Sequence, residues 1–490
     1  MSGLWYFWGS LALLLGGYFV YGAFVEKVFG ADFGRLTPVK SRRDGVDYIE
    51  LPRYKIFLIQ LLNIAGVGPV IGVILGIKFG AVVFLIIPVG NIIGGAVHDF
   101  VSGMMSIRHG GANLPKLIRI TLGKPYYAFF SVFMCFLLLL VVAVFINVPA
   151  TIFNILTPGH EFFWLAVAVI FLYYICATMF PVDKIIGMIY PFFGAMLMIG
   201  SFALFLMLLK AGAANPGLFQ ESAAFKAGMF KEPIIPLLFV TIACGILSGF
   251  HATQSPIIAR TMETERHGRR NFYGMMIVEG IIAMIWAAGG LAIYNMFPEL
   301  MAKSPNLALE FITKTFLGKG MGGITLIAVI ILAITSGDTA MRSLRLSLAE
   351  IFKIDQKPFK KRLGICIPLI VIVALLLWWS NSSAKSFNNL WNYFAWGNQV
   401  LAASTLLGAT VWLVMQKKPA WVTLLPGMFM TFIVTTFILW TSPRHSAILP
   451  YGVGMDLPVA YACGGIITVI LAAWVMRRGT AMQSIKVEDL

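Results

Sequence analysis

His98, Asp99, His251, Glu279 and Asp338 all stand inside long apolar runs of this chain. Charge is costly to place in a bilayer, so such residues are functional candidates by default. Asp338 is flanked by Thr335, Ser336 and Thr339. Carboxylate and hydroxyl oxygens together suit a hard cation such as Na⁺. A carboxylate half-shielded from water can equally carry a proton. The bland alternative is an ion pair with Arg342, one turn on. His98-Asp99 reads as a proton relay, a gate pairing with Arg108 or an interfacial polar cap, since imidazole titrates near neutral pH. Glu279 follows Arg269 and Arg270 by two or three helical turns, which predicts a structural salt bridge or snorkelling. His251 could bind a carboxylate, a peptide terminus or a coupling proton, or simply satisfy exposed backbone.

The neutral candidates cluster where apolar segments are interrupted. Asn63, Gly66, Gly68 and Pro69 break one segment. Ser248, Gly249, His251 and Gln254 break another. Broken helix survives at membrane depth only inside protein or beside a wet cavity, and paired breaks point to a transporter's substrate site. The competing reading is close helix approach through small residues. Asn398 and Gln399, beside Gly397, add amides that lipid would not tolerate, and with Trp391, Asn392 and Trp396 they read as cavity lining or a lid. These residues include no Lys or Arg. An anion bound here would rely on neutral donors and on the free N–H groups of half-helix N-termini, which fits one small carboxylate.

The elements that position these residues are membrane helices. The 490 residues are 59% hydrophobic and 12% charged, with mean hydropathy +0.86, which defines an integral membrane protein embedded in lipid. Thirteen segments are long and apolar enough to span: 4–24, 56–76, 80–105, 126–149, 162–181, 185–209, 234–256, 272–296, 321–341, 363–380, 389–414, 420–441 and 456–476. The net charge of +16 reflects their connections rather than a nucleic-acid surface. With 25–55 taken as cytoplasmic, 28 of 37 Lys and Arg fall on the cytoplasmic side, which puts the N-terminus outside and the C-terminus inside.

The spans divide into an N-terminal extra helix and cytoplasmic loop (1–55), five helices over 56–209, five over 234–414, two accessory helices over 420–476 and a cytoplasmic tail from 477 to 490. Each set of five opens with a broken helix, and the two sets run in opposite directions, as inverted repeats do. Pro256 is expected to end the second broken helix. The sequence carries no G-x-x-x-x-G-K-[ST] loop, no H-E-x-x-H and no C-x-x-C, so no cofactor, ATP site or metal centre is expected. The N-terminus lacks a basic n-region and reads as a retained helix. Channel and membrane-enzyme readings lack selectivity rings and a nucleophile–base set, respectively.

Several motifs carry a family resemblance. They are Asp44-Gly-Val-Asp-Tyr48, Ile64-Ala-Gly-Val-Gly-Pro69, Gly94-Gly-Ala-Val-His-Asp-Phe100, Thr241-Ile-Ala-Cys-Gly245, Ser248-Gly-Phe-His-Ala252, Gly337-Asp-Thr-Ala-Met-Arg342 and Trp391-Asn-Tyr-Phe-Ala-Trp-Gly-Asn-Gln399. In this order they resemble the carbon starvation protein A (CstA) family. The resemblance implies a bacterial inner-membrane secondary transporter with a LeuT-like core of five plus five helices. It further implies import of peptides or pyruvate, linked to carbon starvation and coupled to protons. A Na⁺-coupled carrier of another small organic solute is the alternative. In LeuT-like proteins the helix matching that of Asp338 meets the first broken helix at an ion site.

Overall fold

The computed structural model describes residues 4–484 apart from 44–46, 158, 160, 180, 181 and 357, and leaves out the side chains of Leu4, residues 182–191, Cys244 and Ala384. Asp44-Gly-Val of the first motif, Cys244 and the junction between the segments expected at 162–181 and 185–209 therefore lie wholly or partly outside the described residues. Among those described the fold is all-α, without strands. Ten helices are long and apolar enough to cross a membrane, and an eleventh span arises if Arg53–Ile64 and Gly68–Phe79 are joined across their 55° bend. The other two segments expected as spans differ from that standard. Phe163–Met179 is a shorter apolar helix of 17 residues. The segment from Ile234 to Ala259 is divided into four short helical pieces.

The first break falls at Ala65-Gly66-Val67, between Arg53–Ile64 and a π turn at Gly68–Gly72 that contains Pro69. The second falls at Leu247-Ser248, whose backbone is extended between Ala243–Ile246 and Gly249–Ala259. Pro256 does not end this second helix, which runs on to Ala259. Hydroxyls of the same turn take up backbone carbonyls, Thr253 donating to Phe250 at 2.7 Å and Ser255 to His251 at 3.1 Å. A proline in a membrane helix is tolerated when neighbours satisfy the groups it frees.

At two other prolines a hydroxyl from a neighbouring helix takes up the carbonyl left without a donor. Pro88, inside Val83–Gly90, removes the donor for the Phe84 carbonyl, and the Ser10 hydroxyl donates to it instead. Pro149, inside Lys124–Leu156, removes the donor for the Phe145 carbonyl, and Tyr174 Oη donates there at 2.9 Å.

The two breaks pack on each other. A Cβ built on Gly245 would meet the Val73 side chain at 2.9 Å, and one on Gly72 would lie 3.4 Å from the Thr241 carbonyl. Two helices clamp the second break from either side. A Cβ on Gly95 would sit 2.0 Å from the Ile246 carbonyl, and one on Gly249 would sit 2.4 Å from backbone atoms of Asn398 and Ala402. The spans of Glu265–Met296 and Lys385–Met415 are buried over most of their length, whereas Trp5–Phe29 and Leu457–Ala481 lie at the periphery.

Candidate substrate and coupling site

The charged centre of the site is built from three elements. The helix Ala96–Arg108 follows a π turn at Asn91–Gly95 and brings in His98 and Asp99. The second half of the second broken segment supplies His251, and Gly274–Met296 supplies Glu279. Asp99 stands between the histidines. Its Oδ1 lies 2.8 Å from His98 Nδ1 and its Oδ2 lies 2.9 Å from His251 Nδ1. His251 Nε2 continues the chain to Glu279 Oε2, 3.8 Å away. All four side chains are buried. The result is two carboxylates bridged by one imidazole, with a second imidazole at the end. Such a chain can take up or pass on a proton without creating an isolated buried charge.

These positions revise two expectations. Arg108 does not gate by pairing with Asp99: its guanidinium holds Glu265 through two bonds of 2.7 and 2.9 Å. Asp99 lies more than two turns further along the helix, beyond the reach of that side chain. Glu279 is not tied to Arg269, which pairs with Glu26 at 3.1 Å. Ten residues of helix separate Arg269 from Glu279, about 15 Å along the axis.

On the elements of the two breaks and on the helix of Asn398 lie buried amides wholly or partly without protein partners among the described residues. Neither end of the Asn63 or Gln60 side-chain amide has one among the described residues, and the carbonyl oxygens of Gln254 and Gln399 are likewise unpartnered. Each such group costs about 1–3 kcal/mol if left dry, which marks a place for water or a polar ligand. Gln254 Nε2 donates to Thr253 at 3.1 Å, and Gln399 Nε2 to the Phe239 carbonyl at 2.6 Å.

Ser248 and Asn398 are bonded to each other and to the second break. Asn398 Oδ1 accepts from the backbone N–H of Phe250 at 2.7 Å, and its Nδ2 lies 2.9 Å from Ser248 Oγ. Asn398 thus takes up one of the N–H groups at the start of the half-helix that begins at Gly249. Gly66 and Gly249 are close-packing residues, Gly66 against the Phe145 ring and Gly249 against helix backbone. Gly68 opens the π turn.

Asp338 forms a second centre on Gly318–Ile351. Its Oδ2 accepts from Tyr173 Oη at 2.7 Å. Arg342, the partner in the alternative reading, donates to the Ala177 carbonyl. Ser336 Oγ lies 3.1 Å from the Leu62 carbonyl of the first broken segment, which joins the two elements expected to meet at an ion site. Thr335 and Thr339 turn their hydroxyls to carbonyls of their own helix, Thr335 to Leu332 at 3.0 Å and Thr339 to Ser336 at 2.9 Å. The oxygens of Asp338, Ser336 and Leu62 suit a hard cation in kind.

The two ends of the bundle differ. At one end a cavity of about 820 Å³ reaches Ile71 and Thr241, which flank the two breaks, and is lined by Trp391 and Asn392 as well as by Lys78, Lys303 and Lys385. At the other end Glu265 also accepts from the Asp32 backbone at 2.8 Å, and Arg108 also donates to the Gly30 carbonyl at 2.8 Å. Tyr48 and Arg260 tie Gly110 and Gly111 at 3.0 and 2.9 Å. Beside this closure, burial and the neighbouring Lys116, Arg108 and Arg35 push His109 down to about 4. Burial and Arg108 likewise lower Lys418, against the opposing pull of Glu265.

Broken helices packed at the centre, with buried titratable groups beside them, define a secondary-transporter fold. Solved transporters share it. A manganese transporter of Eremococcus coleocola superposes with a TM-score of 0.52 at 14% identity, over 90% of this chain and 99% of that one. A Na⁺-coupled sialic acid symporter does so with a TM-score of 0.50 at 12% identity, over 99% and 98%. The family model for carbon starvation protein CstA matches residues 2–179, 161–315 and 295–437, and the chain belongs to that family of transporters. A membrane protein of Haemophilus influenzae is 43% identical over 60% of this chain and 91% of its own length. The peptide transporter CstA of Campylobacter jejuni is 24% identical over 86% and 77%. The pyruvate/proton symporter BtsT of Escherichia coli is 25% identical over 58% of this chain and 48% of its own length.

Proposed function

We propose that this chain is a proton-coupled secondary transporter that imports a small carboxylate-bearing nutrient, a peptide or pyruvate, across the bacterial inner membrane. The carrying observation is the buried chain His98–Asp99–His251–Glu279, which links three elements at the second helix break. A proton taken up there changes the charge balance among elements that must shift for alternating access. The two relatives named for peptides and for pyruvate with protons support the substrate class and the ion. The core is then the inverted repeat 56–209 and 234–414, with the cavity end outside and the Arg108–Glu265 end inside, by the distribution of Lys and Arg.

Na⁺ coupling is the second reading, favoured by Asp338 and by the Ser336 contact to the Leu62 carbonyl. Uptake and counterflow of labelled pyruvate and dialanine in proteoliposomes test both. An imposed pH gradient, acid outside, should drive accumulation in Na⁺-free buffer. Accumulation that needs Na⁺ and ignores the pH gradient would favour the second reading. Absence of counterflow would end the carrier reading.

A further inference from the structure

The 820 Å³ cavity has a one-sided charge pattern. Lys78, Lys303 and Lys385 line it, and no Asp or Glu does. Lys78 is 4% exposed, at the end of the first broken segment. Its ammonium has three donors and one protein acceptor, the Lys303 carbonyl at 3.4 Å. The rings of Phe230 and Tyr294, 5.5 and 5.9 Å away, hold the cation without neutralising it. Among the described residues no carboxylate lies within ion-pair distance of it. Nearby acids are engaged elsewhere: Glu221 accepts from the Ala81 backbone at 2.6 Å and Glu232 from Ser446 at 2.8 Å. A buried ammonium without a counter-ion is costly, and an anion in the cavity would relieve it.

We infer that Lys78 is the anion-binding group of an access subsite, which holds one carboxylate of the solute before it reaches the breaks. Lys303 and Lys385 line the same wall, and Lys385 rests on Tyr451 with its ammonium 3.1 Å from the hydroxyl. Cations lining a cleft raise the local concentration of anions and speed their capture. The subsite rests on the carrier reading above and deepens it. It also supplies a cation, which the neutral groups at the breaks do not.

Equilibrium binding of pyruvate, dialanine and pyruvamide to the purified full chain, read by tryptophan fluorescence, tests the subsite. Trp391 lines the cavity and is a natural reporter. Lys78→Met should weaken pyruvate and dialanine roughly 10- to 100-fold, as loss of a charge-assisted bond does, and leave pyruvamide unchanged. Lys78→Arg should recover most of the loss. Unchanged pyruvate affinity in Lys78→Met, or equal binding of pyruvate and pyruvamide by the wild type, would overturn the subsite. A measurement without any variant guards against misfolding: pyruvate, and not pyruvamide, should protect Lys78 of the wild type from acylation, as read by mass spectrometry. Equal protection by both, or none, would overturn it too. Binding and protection without accumulation of the labelled acids in vesicles would uphold the subsite and sink the import reading instead.

Discussion

The Arg108–Glu265 pair is the most direct handle on the conformational equilibrium. Glu265 is fully buried, and its two oxygens accept three donors, two from Arg108 and one from the Asp32 backbone. Glu265→Gln keeps the shape, removes the charge and turns one acceptor into a donor facing other donors. Removing one partner of a buried pair costs about 3–5 kcal/mol. Since glutamine keeps one acceptor, about 2–4 kcal/mol is expected, charged to the closed state of this end alone. That moves the population of the open form roughly 30- to 800-fold. Hydrogen–deuterium exchange of the purified chain reads the shift. Peptides spanning 100–111 and 256–268 should exchange faster in the variant, while those of 297–307, around the cavity at the opposite end, should slow as that end closes. Unchanged exchange at 100–111 would refute the locking role. Uniform acceleration everywhere would show loss of fold, not a shift in access.

Asp338→Asn should reach the membrane normally and lose concentrative uptake of labelled pyruvate or dialanine while keeping exchange; accumulation against a gradient would remove Asp338 from coupling. Ser248→Ala should weaken substrate binding by about 0.5–1.5 kcal/mol at every pH, through the loosened Asn398 cap rather than a lost substrate contact, so Asn398→Ala should cost at least as much in the same titration. His109, held down to about 4 in the fold against about 6.5 unfolded, binds fewer protons in the folded chain between those values. Stability should therefore fall as pH drops from about 6.5 towards 4, and His109→Gln should flatten that slope in thermal unfolding followed by light scattering. An equal slope in both proteins would assign the acid lability elsewhere.

Much of the architecture is legible because membrane helices announce themselves by length and apolarity. The two breaks were legible for the same reason, since glycine, proline and amides stand out against such runs. Partnerships were not. His98-Asp99 and His251 each suggest proton chemistry, yet nothing local says that 152 residues of chain separate two groups 2.9 Å apart. For Glu279 the nearest arginines in sequence suggest a pair, but helical rise places Arg269 about 15 Å away, and the true neighbour, His251, lies on another element. Asn398 looked like a ligand group because an amide beside glycine in a span is unusual. Nothing local says that its oxygen also serves a backbone N–H exposed by a break 148 residues earlier. Lys78 falls in sequence between the segments expected at 56–76 and 80–105 and so reads as a connecting cation, although it belongs to the last turn of the first broken segment. At Pro256 the helix runs on to Ala259, with the Thr253 and Ser255 hydroxyls bonded to the Phe250 and His251 carbonyls beside it.

Proton movement with the solute is the measurement that bears most directly on the coupling claim. In Na⁺-free proteoliposomes with an internal pH dye and the membrane potential clamped, external pyruvate or dialanine should acidify the lumen of wild-type vesicles. Glu279→Gln should keep counterflow and lose the acidification, because the chain from His98 to Glu279 can no longer take up and release its proton. Substrate accumulation without acidification in the wild type, or undiminished acidification in Glu279→Gln, would contradict the account.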